Sequence, residues 1–313
     1  MIGSENPLSA TAKRSQGIPP TVLVLLSIGS VQFGAAIAKG LFDSLGPGGT
    51  VFLRISLAAL VLLLLWRPKL GGYGRREYGF AVAFGLVLAG MNLSLYLAID
   101  HIPLGVAVTL EFVGPLGVAV LGSRRLLDGL WAALAAVGIV LLAPLNVLGN
   151  SELDPVGVTF ALLAGCLWAC YILLTARVGS VFPGGAGLAI SLAVGTVVLL
   201  PVGIADAGYA LLDPWLLLAG LGVALLSSAV PYSLEMQALR RLPTRVFGVL
   251  MSLEPAVATL IGFAVLNEVL DLRDVAAVVL VTAAAAGASL FASQGAPDRP
   301  GSPNGGTEYT SVS

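Results

Sequence analysis

The chain has 313 residues, of which 57% are hydrophobic and 11% charged, with a mean hydropathy of +0.96. A soluble domain cannot hide that much apolar surface, so the bilayer is the expected solvent. A net charge of −1 excludes the basic field of a nucleic-acid binder, and one histidine (His101) with two cysteines (Cys166 and Cys170) excludes haem, iron–sulfur and Cys/His zinc sites.

Residues 1–19 are polar and rich in Gly, Pro and Ser, and predict a disordered tail. A spanning helix needs roughly 20 apolar residues. By that measure ten spans follow, near 20–38, 49–66, 78–98, 103–122, 129–147, 156–176, 185–204, 214–237, 244–265 and 274–293. The first carries Gln32 and ends at Lys39, and the second holds Arg54 in its outer third. The third places Asn92 and Tyr96 one turn apart on one face. The fourth has Glu111 four residues before Pro115, and the sixth holds Cys166 and Cys170, small apolar residues expected at a helix contact. The eighth contains Pro231, Tyr232 and Glu235, and the ninth contains Glu254 directly before Pro255. Residues 294–313 predict a second disordered tail. The loops are short, so little soluble domain is expected.

Orientation follows from Lys and Arg. With the N-terminus in the cytoplasm, thirteen of the sixteen basic residues fall in inner segments. Lys39 and Arg273 fall outside, and Arg54 lies within a span. That positive-inside bias predicts that both termini are cytoplasmic. Lys13-Arg14, the apolar run and Ala36-Ile37-Ala38 resemble a cleaved secretory signal. The run is long for an h-region, and its removal would delete the partner of the sixth span, so it is expected to be retained.

Ile102-Pro103 and Pro115 recur as Leu242-Pro243 and Pro255, each at an offset of 140 residues. Pro47-Gly48-Gly49 before Ile55-Ser56-Leu57-Ala58 recurs as Pro183-Gly184-Gly185 before Ile190-Ser191-Leu192-Ala193. Two five-helix halves, 20–147 and 156–293, follow. Five is odd, so the second half enters the membrane from the opposite side. The expected fold is an all-α integral membrane protein, ten transmembrane helices as two inverted five-helix repeats. Such repeats place a substrate site between the halves near the midplane.

Three carboxylates, Glu111, Glu235 and Glu254, fall within spans. Each must face a partner or a wet cavity, because an ionised carboxylate at the bilayer centre costs about 2.5–3.5 kcal/mol on insertion scales. Pro115, Pro231 and Pro255 are expected to kink their helices, since proline lacks the N–H that the helix requires. An amphoteric substrate needs an anion site and a cation site. Arg54 or Lys39 would meet a carboxylate, and a glutamate an ammonium. Gln32, Asn92, Tyr96 and Tyr232 complete the candidates for substrate or coupling. Structural readings stand beside these. Asn92 and Tyr96 would serve as interhelical glue, Lys39 as an interfacial anchor, Glu235 as a snorkelling residue, and His101 as a solvated loop residue. No P-loop is present, so ATP is not expected to drive transport directly. An intramembrane hydrolase would need a Ser/His pair or facing aspartates at depth, and neither is present.

These stretches resemble the EamA family of the drug/metabolite transporter superfamily, and within it the threonine/homoserine exporters. The match runs through Gly90-Met91-Asn92, Ile102–Val108, Leu110-Glu111-Phe112 and Gly114-Pro115-Leu116. It continues through Pro231–Met236, Arg241–Arg245 and Met251–Ala256, with Ala38-Lys39 and Leu41-Phe42 at the end of the first helix. It covers roughly residues 20–292. The family often has Gly-Glu after its ninth helix, where this chain has Asn267-Glu268. The resemblance implies a secondary transporter of the bacterial inner membrane and no enzymatic activity. Its substrates would be small amphoteric metabolites, foremost L-threonine and L-homoserine, or alternatively another amino acid, metabolite or toxic organic compound. It implies no cofactor or metal. Proton motive force would drive it, with Glu111 or Glu254 as carrier, and its partners would be the lipid bilayer and a small-molecule substrate.

Overall fold

Proline and glycine decide where the apolar stretches start, break and stop. The structure, a computed structural model, describes residues 18–68, 71–121, 126–142, 153–183, 185–239, 247 and 250–292. The predicted tails, the beginning of the ninth span and the inner-loop arginines Arg124, Arg125, Arg240, Arg241 and Arg245 lie wholly or almost wholly outside the described residues. Every regular element described is helical.

Helices α1 (Pro20–Lys39), α2 (Phe42–Trp66) and α3 (Arg75–His101) follow one another directly. Then come α4 (Leu104–Glu111), α5 (Val113–Leu121), α6 (Leu126–Leu142), α7 (Pro155–Val181) and α8 (Ala186–Ala207). A 3-10 turn at Gly208–Leu212 leads to α9 (Pro214–Ala224), a π-helical turn (Leu225–Ala229) and α10 (Val230–Leu239). The described chain ends with α11 (Glu254–Leu266) and α12 (Leu272–Ala292). Five helical stretches, α1, α2, α3, α7 and α8 with its 3-10 turn, have the length and apolarity to cross a bilayer. Large apolar side chains lie exposed along them and on α11, among them Leu64, Leu65, Val197, Leu260 and Phe263, as a lipid-facing surface requires. This is a multi-pass membrane protein. Cys166 and Cys170 are also exposed, so they face outward from the bundle and not into a helix contact as expected.

The three predicted kinks take two forms. At Pro115 the fourth span breaks: α4 stops at Glu111 and α5 resumes at Val113, with the Phe112 amide bonding the Val108 carbonyl at 3.0 Å. At Pro231 the missing N–H is accommodated by the π-helical turn just before it, a widened turn of the kind that marks functional sites. At Pro255 the ninth span breaks in the same way: residues 250 and 251 are helical, 252 and 253 form a turn, and α11 restarts at Glu254 with Pro255 in its first turn, where the missing N–H would be unbonded anyway. Glu254 shares that turn, where the positive end of the helix dipole favours an anion.

The second span begins earlier than its apolar run, at Phe42, and is interrupted at Gly46 (φ 65°), a conformation that suits glycine alone. The amide of Gly48 donates to Asp206 Oδ2 at 2.8 Å near the end of α8, and a Cβ at Gly48 would collide with that carboxylate. The long helices pair across the chain. α2 lies on α8, α3 on α7 and α8, α6 on α12, and α4 on α11. α1 packs on α10 and α11, α7 on α4 and α5, and α2 on α9.

At one end of the bundle His101 Nδ1 lies 2.7 Å from Asp154 Oδ2, joining the last residue of α3 to the N-cap of α7. The amide of Val156, and then His101, hold the Asp154 carboxyl below its ordinary range. A depressed carboxyl stabilises the fold above its unfolded-state pKa and loses that effect as the pH falls through its folded value. Asp154→Ala should therefore lower the thermal midpoint at neutral pH. Melting curves should show the difference closing only below the usual carboxylate range.

Candidate functional site

The breaks in the helices converge on one place. A cavity of about 220 Å³ is lined by Gln32 of α1, Arg54 of α2, Asn92 of α3, Glu111 of α4, Ser227 and Pro231 at the π-turn, Glu235 of α10 and Glu254 of α11. Met91, Met251, Trp168 and Tyr171 supply apolar and aromatic wall. The disposition follows from the backbone. Glu111 ends α4 because Pro115, in the first turn of α5, has no N–H to bond the Glu111 carbonyl, and Glu254 opens α11 after the turn at 252–253, with Pro255 in its first turn. Both are nearly buried, at 5% and 9% exposure.

Each polar group has its own support. Arg54 Nη1 donates to Tyr96 Oη at 3.3 Å, and its guanidinium lies 5.5 Å from the Tyr96 ring centroid. Tyr96 is fully buried and packs against Phe42, so it stands behind Arg54 and does not line the cavity. Asn92 Nδ2 donates to the Leu88 carbonyl of its own helix at 2.8 Å. Ser27 Oγ donates to Glu235 Oε1 at 2.7 Å. Ser30 Oγ donates to the Leu226 carbonyl at 2.7 Å, satisfying an acceptor in the π-turn. Gln32 Nε2 donates to Glu254 Oε1 at 3.2 Å. Glu111 lies within Coulombic reach of both Glu254 and Arg54. Four atoms of cavity residues are buried without a protein hydrogen-bond partner: Gln32 Oε1, Glu254 Oε2, Arg54 Nε and Ser227 Oγ. A buried polar atom left in this way costs about 1–3 kcal/mol, so their concentration around one cavity marks where a polar ligand belongs.

Six of the nine candidates from the sequence thus share the cavity: Gln32, Arg54, Asn92, Glu111, Glu235 and Glu254. Tyr232 falls on α10, but its side chain lies outside the described residues. Lys39 lies away from the cavity, its Nζ 2.7 Å from Glu268 Oε1. The same carboxylate accepts from the Leu104 amide at the start of α4, at 2.9 Å. Glu268 thereby clasps the ends of α1, α4 and α11. Its approach depends on Asn267, whose φ of 55° turns the chain back under α11, a conformation open to Asn as to Gly. Glu268→Ala should lower the thermal midpoint more than Lys39→Ala, by the equivalent of about 1–3 kcal/mol against about 1. It strands two donors where the lysine change strands one acceptor. Melting of the detergent-solubilised variants checks the order.

Trp168, Tyr171, Met91, Met251 and Ser227 have no mark in the sequence that separates them from ordinary core. Trp168 stands edge-on to Phe112 at 5.4 Å, and Tyr171 stacks on Phe84 at 5.1 Å, so their rings are held before any ligand arrives.

Known proteins align with this arrangement. Residues 155–290 match the EamA-like transporter family. The chain is 42% identical over 271 residues to the threonine/homoserine exporter RhtA of Salmonella typhimurium, covering 87% of this chain and 91% of that protein. The same identity and coverage hold for the threonine/homoserine exporter RhtA of Escherichia coli. One solved crystal structure superposes with a TM-score of 0.57 over 88% of this chain and 98% of its own, at 16% identity, a likeness of fold alone.

Proposed function

The chain belongs to the EamA transporter family, a family of transporters and not of enzymes, and we propose that it exports small amphoteric metabolites from the cytoplasm, foremost L-threonine and L-homoserine. The observation that carries this reading is the single cavity bounded by one guanidinium and three carboxylates, which offers both signs of charge to one small molecule. Its volume of about 220 Å³ falls below the ~300–1,000 Å³ of sites for drug-sized ligands, which favours a metabolite. The names of the relatives supply the two leading substrates.

The transport cycle is alternating access between two inverted five-helix repeats, in the bacterial inner membrane with both termini cytoplasmic. The helix pairings support this. Exchanging each helix with its counterpart five spans away maps α3–α7 onto α10–α1, α4–α7 onto α11–α1 and α3–α8 onto α9–α2. It returns α2–α8, α4–α11 and α6–α12 to themselves. The cavity draws on both halves, as a site rocked between two faces must. Proton motive force drives the cycle, with Glu111 or Glu254 as carrier.

Trp168 and Tyr171 on the wall favour a second reading, export of a toxic organic cation, because aromatic faces attract cations. Overexpression in a bacterium challenged with toxic homoserine, toxic threonine or a cationic dye separates the two. Tolerance to the amino acids, with their accumulation outside, is expected. Tolerance to the dye alone overturns the amphoteric reading in favour of the second.

A further inference from the structure

The four unpartnered atoms divide by chemistry. Gln32 Oε1 and Glu254 Oε2 are acceptors, and Arg54 Nε is a donor. The serine hydroxyl of Ser227 is both, and it packs against Gly34 on α1, where any side chain would overlap it. The two acceptors belong to one hydrogen-bonded pair, since Gln32 Nε2 already donates to the other oxygen of Glu254. Gln32 is 2% exposed and Glu254 9%, and both line the cavity. The amide therefore fixes the rotamer of the carboxylate while each keeps one oxygen in need of a donor.

Adjacent acceptors, one of them on a carboxylate, suit a group that carries several N–H donors and a positive charge. The remaining charged groups of the cavity suit it less well. Glu235 takes its hydrogen bond from Ser27, and Arg54 offers a donor. We infer that Gln32 and Glu254 together form the subsite for the primary ammonium of the substrate, with Gln32 the residue that makes it selective for that group, while Arg54 takes the carboxylate. The assignment rests on the proposed export of amphoteric metabolites and divides the labour of the two acids. Glu254 binds, and Glu111, across the break in α4, is left to carry the proton. Gln32 acts on the substrate directly through its carbonyl oxygen and indirectly by orienting Glu254.

The test is binding to the full-length protein in nanodiscs. The probes are L-threonine, L-threonine methyl ester (ammonium without carboxylate) and N-acetyl-L-threonine (carboxylate without ammonium). Gln32→Met keeps length and apolar fit in α1 but removes the acceptor. It should weaken threonine and the methyl ester alike by about 10- to 100-fold, the usual worth of a hydrogen bond to a charged group, and leave N-acetyl-threonine unchanged. Arg54→Gln should show the converse, losing threonine and N-acetyl-threonine but not the ester. Glu254→Gln, close in shape to the native residue, should reproduce the Gln32→Met pattern, so the assignment does not depend on one variant folding. An equal loss of all three probes in Gln32→Met, or an unchanged ester, overturns the assignment. A wild-type protein that binds the ester in a Gln32-dependent way but ignores threonine overturns the substrate reading and leaves the subsite standing. A wild-type protein that binds none of the three overturns both.

Discussion

Glu111→Gln should abolish export driven by a pH gradient in proteoliposomes while leaving threonine binding within a few-fold of wild type. Glutamine has nearly the size of the native side chain and can still hydrogen-bond, but it cannot release a proton. Glu111 is nearly buried, lines the cavity, and ends a helix whose next turn is broken. It also stands within Coulombic reach of Glu254 and Arg54, so the charge on one acid is felt at the substrate groups. On the proposed cycle such a group would couple two events: protonation of one carboxylate alters the field in which a zwitterion binds. The driven flux should fall to the level of exchange without a gradient. Exchange of threonine across the bilayer without a gradient should persist. Unchanged ΔpH-driven flux in the variant would remove Glu111 as carrier. A loss of binding as large as the loss of flux would make it a substrate ligand instead.

How much of this was legible beforehand depends on the physics of each residue. Isolated charges in an apolar run are conspicuous, because the bilayer penalises them wherever they lack a partner. That is why Glu111, Glu235, Glu254 and Arg54 stood out, and all four line the cavity. Proline signals lost hydrogen bonds but not the form the backbone takes in response. Pro115 and Pro255 split their spans just ahead of the proline, whereas Pro231 follows a π-turn, a difference decided by neighbouring packing that one sequence does not display. Lys39 was ambiguous because charge at a helix end serves an interface, a substrate or another side chain equally well. Its actual partner, Glu268, lies 229 residues away and is brought to it only by the turn at Asn267. The aromatic wall was hidden because Trp168 and Tyr171 look like any large apolar residues of a spanning helix. Cys166 and Cys170 were misplaced for a related reason, since smallness predicts a helix contact only on the face that meets another helix.

Gly165→Val should be strongly destabilising, and the damage should reach the site. α5 and α7 touch backbone to backbone where the fourth span breaks. A Cβ on Gly165 would come 2.7 Å from the Glu111 carbonyl oxygen and 3.4 Å from its Cα, and a Cβ on Gly114 would overlap the Gly165 carbonyl. Neither obstruction is the tip of a flexible side chain, so one helix must move. Crowding of this kind costs about 1–3 kcal/mol in a packed core, and more where backbone is displaced. Membrane helices rely on small residues for such approaches, because lipid supplies no hydrophobic force to hold them together. The displaced atoms are those of Glu111 itself, so Gly165→Val should lower the thermal midpoint and, in whatever fraction folds, weaken coupling of threonine flux to ΔpH. Gly179, two turns or more further along the same helix with nothing within 4 Å of its missing Cβ, is the control. There alanine should be neutral or stabilising by up to about 1 kcal/mol, since only helix propensity changes. If Gly165→Val melts with wild type and retains coupling, the contact of α7 with the end of α4 does not set the position of Glu111. If Gly179→Ala is as harmful as Gly165→Val, glycine matters in α7 for a reason other than close approach.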